Sequence, residues 1–258
     1  MAKLLSGEFS ACLLDYQLGE RDGLQLIRDA IAQGCRAPIV FLTGETADRV
    51  DIAAMHAGAL DYLIKSEITP RLLERALRYA LKLGDTLEEL RRLATHDQLT
   101  GLLNRREFDR TIAEEEERAL RSGQSLALVM VDLDRFKSIN DNHGHPAGDA
   151  VLREVARRLT AEVRAIDRVM RMGGDEFALT LSPTEPATAL AIARRICARL
   201  GGEPVVIDAL KLNVTASIGV ALLPEHARTG TALIAAADHA LYAAKAAGRN
   251  RALAFNHG

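Results

Sequence analysis

Three groups of residues in the 258-residue chain have types and spacings suited to chemistry. Asp175 and Glu176 directly follow Gly173-Gly174 inside the stretch Val169–Leu181. Glycine tolerates the positive φ of tight turns, so a Gly-Gly pair between two alternating runs predicts a β-hairpin. Acidic side chains are poor strand formers. Two of them at a hairpin tip suit a hard cation with oxygen ligands, or else a solvated acidic turn. The buried-type strand Leu126–Val131 runs straight into Asp132-Leu133-Asp134. Unpaired buried charge is costly, and a cation would compensate both aspartates. Lys245 and Arg249, four apart, would share a helix end if helical geometry persists that far. Two cations there suit phosphates, although a helix dipole also favours a basic C-terminus. A strand-end aspartate, a carboxylate hairpin and a distal Lys/Arg pair together are the parts of a metal-dependent nucleotidyl transferase.

These groups need elements to position them. His96 to Arg106 reads as a polar, turn-containing approach to a helix, and Glu114–Glu117 as a solvated helix face. After Asn140 and the segment Gly144–Asp149, a helix is predicted from about Ala150 to Val163. Further helices are expected over Thr188–Leu200 and Thr231–Ala247, with a strand of alternating character over Leu212–Leu222. The N-terminal part alternates strand and helix. Strands are expected at Ala11–Asp15, Pro38–Thr43 and Tyr62–Lys65. A loop with Gly19 and Gly23 and a helix through Leu24, Ile27, Ala30 and Ile31 follow the first, and a helix over Ala47–Ala57 follows the second. Such alternation predicts a parallel sheet covered on both faces. Working residues in such sheets sit at the carboxyl ends of strands, where Asp15, Thr43 and Lys65 lie. Between the two parts a helix runs from Pro70 to about Thr95. Ala76, Ala80, Leu83, Leu87, Leu90 and Ala94 alternate spacings of four and three, a coiled-coil seam. Its first half is expected to pack on its own domain and Leu83–Ala94 on a second chain. Gly84, at roughly 1 kcal/mol against helix formation, would mark a joint between the halves.

Bulk properties bound the classes. Hydrophobic content of 48% and charge of 26% are those of a soluble globular protein, and the length allows two modest domains. A net charge of -2 speaks against nucleic-acid binding. Cys12, Cys35 and Cys197 lack CxxC spacing and read as core thiols of a reducing cytoplasm. No apolar run reaches the roughly 18 residues of a membrane span, and Met1–Gly7 is too short and polar for a signal peptide. The expectation is a cytoplasmic protein with no membrane or nucleic-acid partner.

Two resemblances sharpen this. Leu-Leu-Asp15-Tyr-Gln-Leu-Gly, Phe-Leu-Thr43-Gly and Asp61-Tyr-Leu-Ile-Lys65 resemble the response-regulator receiver domain, with Ser66 where proline is usual. The resemblance implies Asp15 as phospho-acceptor for a histidine kinase, Thr43 and Lys65 as contacts to the phosphoryl group, and Tyr62 as the switch aromatic. It begins just before the family's third strand. The expectation is a flavodoxin-like parallel sheet lacking its first two strands and their acidic metal-binding pair, with an open edge and with Asp15 taking little phosphate.

Residues 95 to 256 resemble the GGDEF family of diguanylate cyclases. The matching stretches are Asp97-Gln-Leu-Thr-Gly-Leu-Leu-Asn-Arg-Arg106, Asp132-Leu-Asp-Arg-Phe-Lys-Ser-Ile-Asn140, Gly144-His-Pro-Ala-Gly-Asp149, Gly173-Gly-Asp-Glu-Phe177, Ala216-Ser-Ile-Gly219 and Ala240-Leu-Tyr-Ala-Ala-Lys-Ala-Ala-Gly-Arg-Asn250. Met172 stands where an aromatic is common. The resemblance implies an α/β fold: a partial receiver (1–70), a connecting helix (71–96) and a palm-like mixed sheet flanked by helices (97–258). The activity implied is condensation of two GTP into cyclic di-GMP and two pyrophosphates by a two-fold homodimer. Asp132, Asp175 and the Leu133 carbonyl would ligate Mg²⁺ or Mn²⁺, and Glu176 would assist deprotonation of the 3′-hydroxyl or contact the metal. Gly173 and Gly174 would admit the triphosphate, and Asn140 and Asp149 would read guanine. Lys137, Lys245 and Arg249 would hold the β- and γ-phosphates. Five residues separate Asp167 of Arg164-Ala-Ile-Asp167 from Gly173, an offset that matches the family's inhibitory site for its own product, with Arg195 as a secondary contact. The competing expectations are a catalytically silent cyclic di-GMP receptor and a protein-interaction module.

Overall fold

The structure, a computed structural model, describes residues 2–5, 8–18, 21–44 and 48–256. Gly19 and Ala47, read above as part of a loop and the start of a helix, lie outside the described residues, as do Met1, Ser6 and Gly7 of the opening segment. The chain divides into two compact units, Met1–Ala94 and Thr95–Gly258.

The first unit contains α1 (Ala2–Leu5), β1 (Cys12–Asp15), a short antiparallel pair β2 (Gln17–Leu18) and β3 (Arg21–Asp22), α2 (Gly23–Ala32), β4 (Ile39–Thr43), α3 (Asp48–Ala57), β5 (Asp61–Ile64) and α4 (Pro70–Thr95). Three parallel strands pair in the order β1-β4-β5. Successive strand side chains point to opposite faces, so Ile39 and Phe41 pack with Ile27, Ala54 and Ala57 of α2 and α3. Val40 and Leu63 pack with Ala76 and Ala80 of α4 on the other face. Among the described residues β1 pairs on one side only, the open edge expected, and Leu13 there is 42% exposed. Lys65 does not continue β5 but opens a 3₁₀ turn, Lys65–Glu67. Gly84 is no joint: α4 passes through it unbroken. A Cβ at Gly84 would meet Pro38 Cγ at 2.5 Å, so this glycine lets the helix approach the turn before β4.

The second unit contains α5 (Arg105–Ser122), β6 (Leu126–Leu133), α6 (Phe136–His143), α7 (His145–Ala161), β7 (Arg168–Gly173), β8 (Glu176–Leu181), α8 (Pro186–Gly202), β9 (Val205–Ile207), β10 (Leu210–Leu212), β11 (Ala216–Leu223), α9 (Gly230–Ala246) and β12 (Arg251–Ala254). Its five-stranded sheet runs β12-β11-β6-β8-β7, antiparallel except for the parallel pair β11–β12. Central β6 alternates its side chains between two layers. Ala127, Val129 and Val131 meet Val151, Val155 and Leu159 of α7 and Ala193 and Ile196 of α8. Leu126, Leu128 and Met130 meet Phe108 and Ile112 of α5 and Leu233, Ala237 and Leu241 of α9.

Several expectations need correction. The helix expected from Ala150 starts at His145, with Pro146 in its first turn, where a missing N–H and a fixed φ suit a helix start. Leu212 belongs to β10, and β11 begins at Ala216. Every residue of β11 is buried rather than alternating, because it lies between two strands and under helices on both faces. The α9 helix stops at Ala246, and Arg249 has φ 63, so Lys245 and Arg249 do not share helical geometry. The Glu114–Glu117 run is not wholly solvated: Glu116 accepts the Gly230 N–H at 2.9 Å at the start of α9, and the Glu115 side chain is 14% exposed. No helix among the described residues is long and apolar enough to cross a membrane.

Candidate functional site

The antiparallel register of β6 and β8 sets Asp132 opposite Glu176. The Leu133 N–H donates to the Asp175 carbonyl at 3.2 Å, which ties the hairpin turn to the end of β6. Gly173 pairs with Glu176, so the turn is Gly174-Asp175, one residue later than the Gly-Gly pair predicts; a register shift between Arg171 and Gly173 accounts for the offset. Gly173 and Gly174 have φ of 139° and 53°, and a Cβ added to either would meet nothing within 4 Å. Backbone conformation, not packing, therefore requires glycine, and the turn faces open space.

Asp132 is buried and pairs with Lys245 Nζ at 2.6 Å. Burial pushes its pKa up, the hydrogen bond and charge of Lys245 pull it down, and the charges of Asp175 and Asp134 push it up again, with a net rise. Burial leads that rise, and Lys245 does not fully offset it. Asp132 and Asp175, one at the end of β6 and one in the turn tied to it, are oxygen donors of the kind a hard divalent cation takes. Among the described residues no group of three or more His, Cys, Asp or Glu side chains is placed to hold a metal ion. Asp134 needs no cation: its oxygens accept from the Thr215 and Ser217 hydroxyls, both at 2.7 Å, and from the Asn250 N–H at 3.0 Å. It is a knot between β6, β11 and the loop after α9.

Asn140 lies on α6 and Asp149 on α7. Between them Gly148 has no room for a Cβ, which would collide with the Asn140 side chain, so the two helices close up and bring Asn140 against the start of α7. Lys137 on α6 and Arg249 are exposed, and neither side chain joins the carboxylates in a hydrogen bond or ion pair. The structure thus gathers Asp132, Leu133, Gly173, Gly174, Asp175, Glu176 and Lys245 at one end of the sheet.

Arg171 was not singled out from the sequence. Its Nη1 donates to both Asp97 carboxylate oxygens at 3.0 and 3.1 Å, and its Nε and Nη2 donate to the Gly174 carbonyl at 3.1 and 2.8 Å. One guanidinium therefore fixes the turn against the loop before α5. Burial raises the Asp97 pKa, but hydrogen bonds from Thr100 and Arg171 hold it below the usual carboxylate range. Nothing in the spacing of residues 97 and 171 announces the pair.

The Arg164–Asp167 motif is internally paired: Asp167 is buried and accepts from Arg164 N, Nε and Nη2 at 2.9, 3.1 and 3.0 Å. Arg195 on α8 pairs instead with Glu162. In the first unit, Asp15, Thr43 and Lys65 follow one another across the carboxyl ends of β1, β4 and β5. Lys65 Nζ lies 2.6 Å from Asp15 Oδ2 and, chiefly through that hydrogen bond, lowers the Asp15 pKa.

Fold and site define an α/β domain whose mixed sheet presents a carboxylate pair beside an open glycine turn. The family model "Diguanylate cyclase, GGDEF domain" matches residues 94–251, and "Response regulator receiver domain" matches residues 1–77. The chain belongs to the GGDEF family, with a receiver-type region before it. It is 43% identical over 175 residues to the response regulator PleD of Caulobacter vibrioides, covering 67% of this chain and 38% of that one. The GGDEF domain of TpbB from Pseudomonas aeruginosa superposes with a TM-score of 0.59 at 40% identity, covering 62% of this chain and 99% of that structure. The coiled coil and GGDEF domain of DgcB from Caulobacter crescentus, in complex with c-di-GMP, gives 0.66 at 30% identity, covering 71% and 97%. The chain spans between 20% and 38% of the length of the first curated relatives it matches.

Proposed function

We propose that the second unit condenses two GTP into cyclic di-GMP with release of two pyrophosphates. The observation that carries this reading is the register of Asp132 against Glu176, with the Asp175 turn tied to Leu133. Asp132, Asp175 and the Leu133 carbonyl would hold Mg²⁺ or Mn²⁺, which when bound neutralises triphosphate charge and polarises the α-phosphoryl group. The exposed Glu176 takes the proton of the 3′-hydroxyl. The open Gly173-Gly174 turn admits the triphosphate. Lys245, one third exposed, can turn outward from Asp132 and joins Lys137 and Arg249 on the β- and γ-phosphates. Asn140 and Asp149, held close by the α6–α7 approach, read the guanine edge.

Because each nucleotide attacks the other, two chains face each other with two-fold symmetry. Product returns to Arg164, Asp167 and Arg195 as inhibitor. Asp15, with Thr43 and Lys65, stands at the receiver's phospho-acceptor position and is expected to take little phosphate. Incubating the chain with GTP and Mg²⁺ and separating the nucleotides tests the central claim. Cyclic di-GMP should appear with two pyrophosphates per product. Tight cyclic di-GMP binding with no turnover at high protein concentration would replace the enzyme by a receptor.

A further inference from the structure

The cations around Arg164–Asp167 are not equally available. Glu162, the residue after α7, has a side chain only 8% exposed, and its carboxylate bridges Arg195 and Arg199 of α8. Arg195 is held a second time, its Nη2 donating to the Glu162 carbonyl at 2.7 Å. Burial opposes ionisation of Glu162, yet the hydrogen bonds from the two arginines hold its pKa below the usual carboxylate range. Arg164, two residues on, is already oriented by Asp167 and is 53% exposed. One arm of the candidate product site is thus preset, while the other is occupied by a carboxylate of the same chain.

We infer that Glu162 is an internal competitor that sets how tightly this site binds a guanine dinucleotide. The inference rests on reading Arg164–Asp167 as the product site. Carboxylate and phosphodiester compete for the same planar fork of guanidinium donors. A ligand that takes the Nε/Nη2 edge of Arg195 must displace Glu162, and its affinity falls by the fraction of chains in which Arg195 is released. The exit is asymmetric. Arg195 is 57% exposed and has room to leave, whereas Arg199 is 35% exposed and stays on Glu162. Release of Arg195 therefore leaves no bare buried carboxylate, whose penalty would otherwise forbid it. Glu162 lies outside the catalytic end of the sheet, so it acts on inhibition and not on turnover.

Calorimetric titration of cyclic di-GMP into the full chain tests this with Glu162→Gln, Arg195→Ala, the double variant and Arg164→Ala, each checked for unchanged thermal unfolding. Glu162→Gln should lower the dissociation constant about fivefold or more by removing the competitor. Its initial rate with product continuously removed should match that of the unmodified chain. Arg195→Ala should bind more weakly, and adding Glu162→Gln to it should gain nothing. Equal or weaker binding by Glu162→Gln, with binding lost in Arg164→Ala, overturns the competitor and leaves the product site standing. A gain from Glu162→Gln that persists without Arg195 overturns it as well. If Arg164→Ala binds like the unmodified chain, the product-site reading falls and takes the competitor with it.

Discussion

Asp132 and Asp134 lie two residues apart at the end of one buried strand, and the sequence treats them alike. Their surroundings do not. Asp134 is saturated by two hydroxyls and a backbone N–H, while Asp132 has Lys245 alone against its own burial and the charge of Asp175. The first is a structural knot; the second has lone pairs left for a cation. Two substitutions should therefore separate. Asp134→Ala leaves the buried Ser217 hydroxyl and the half-buried Thr215 hydroxyl without their acceptor and should lower stability by about 1–3 kcal/mol, read by denaturant unfolding. Asp175→Ala should leave unfolding unchanged and reduce turnover by on the order of 10³-fold, as loss of an electrostatic stabiliser at a reacting centre does. Retained turnover in Asp175→Ala would remove it from the metal set. Arg171 acts through position rather than contact with substrate, holding Asp97 and the Gly174 carbonyl at once. Arg171→Met should lower kcat by about 10²-fold with KM little changed, the signature of a misplaced group. Arg171→Lys should not restore it, because an ammonium cannot span both acceptors as a fork does.

At the level of elements, the fold rests on clamps the sequence does not advertise. Arg158 of α7 is 4% exposed and donates to the Glu203 and Pro204 carbonyls at 2.6 and 3.1 Å, capping the end of α8, while its Nε donates to Glu154 at 2.8 Å. Hydrogen bonds from Arg157, opposed by burial and aided by Arg158, hold Glu154 at a pKa of about 2. A carboxylate whose pKa is depressed on folding stabilises the native state above its unfolded pKa of about 4.3 and loses that contribution as pH falls toward the folded value. Glu154→Gln should thus cost about 1 kcal/mol between pH 5 and 7. The difference from the parent should shrink below pH 4.5 and vanish near pH 2, followed by denaturant unfolding across pH. A difference that persists at pH 2 would mean that Glu154 contributes by packing. Strands, helices and the hairpin were legible because apolar period and turn residues are local properties. So were Asp132, whose charge clashes with strand burial, and Asp175 and Glu176, whose types are poor strand formers. Arg171, Glu162 and Arg158 were not, since each works through partners brought to it by tertiary packing, and arginines are common in this chain. The burial of β11 on both faces was missed for the same reason: it depends on neighbours, not on its own alternation.

The whole molecule poses a problem of numbers: in the proposed reaction one domain holds one nucleotide, yet the product joins two. The answer is sought in α4. Its Ala76 and Ala80 are buried in the first unit, whereas Leu83 and Leu90 are 43% and 56% exposed on the same predicted seam, with Leu87 half-buried between them. Apolar side chains at heptad spacing, left uncovered by their own unit, suit a second copy of the same helix. Joining two chains there raises the effective concentration of one half-site near the other without adding a contact to the site itself. Burying each leucine contributes about 1.5–3 kcal/mol, so removing four from a dimer should weaken association about a thousandfold or more. Leu83→Lys with Leu90→Lys should therefore convert dimer to monomer in sedimentation velocity, with thermal unfolding of the units little changed. Specific activity should fall at least about tenfold at low micromolar chain and recover as concentration rises, since mass action can replace what the seam supplied. Full activity per chain in a monomeric variant at low concentration would mean that the half-sites meet without this helix.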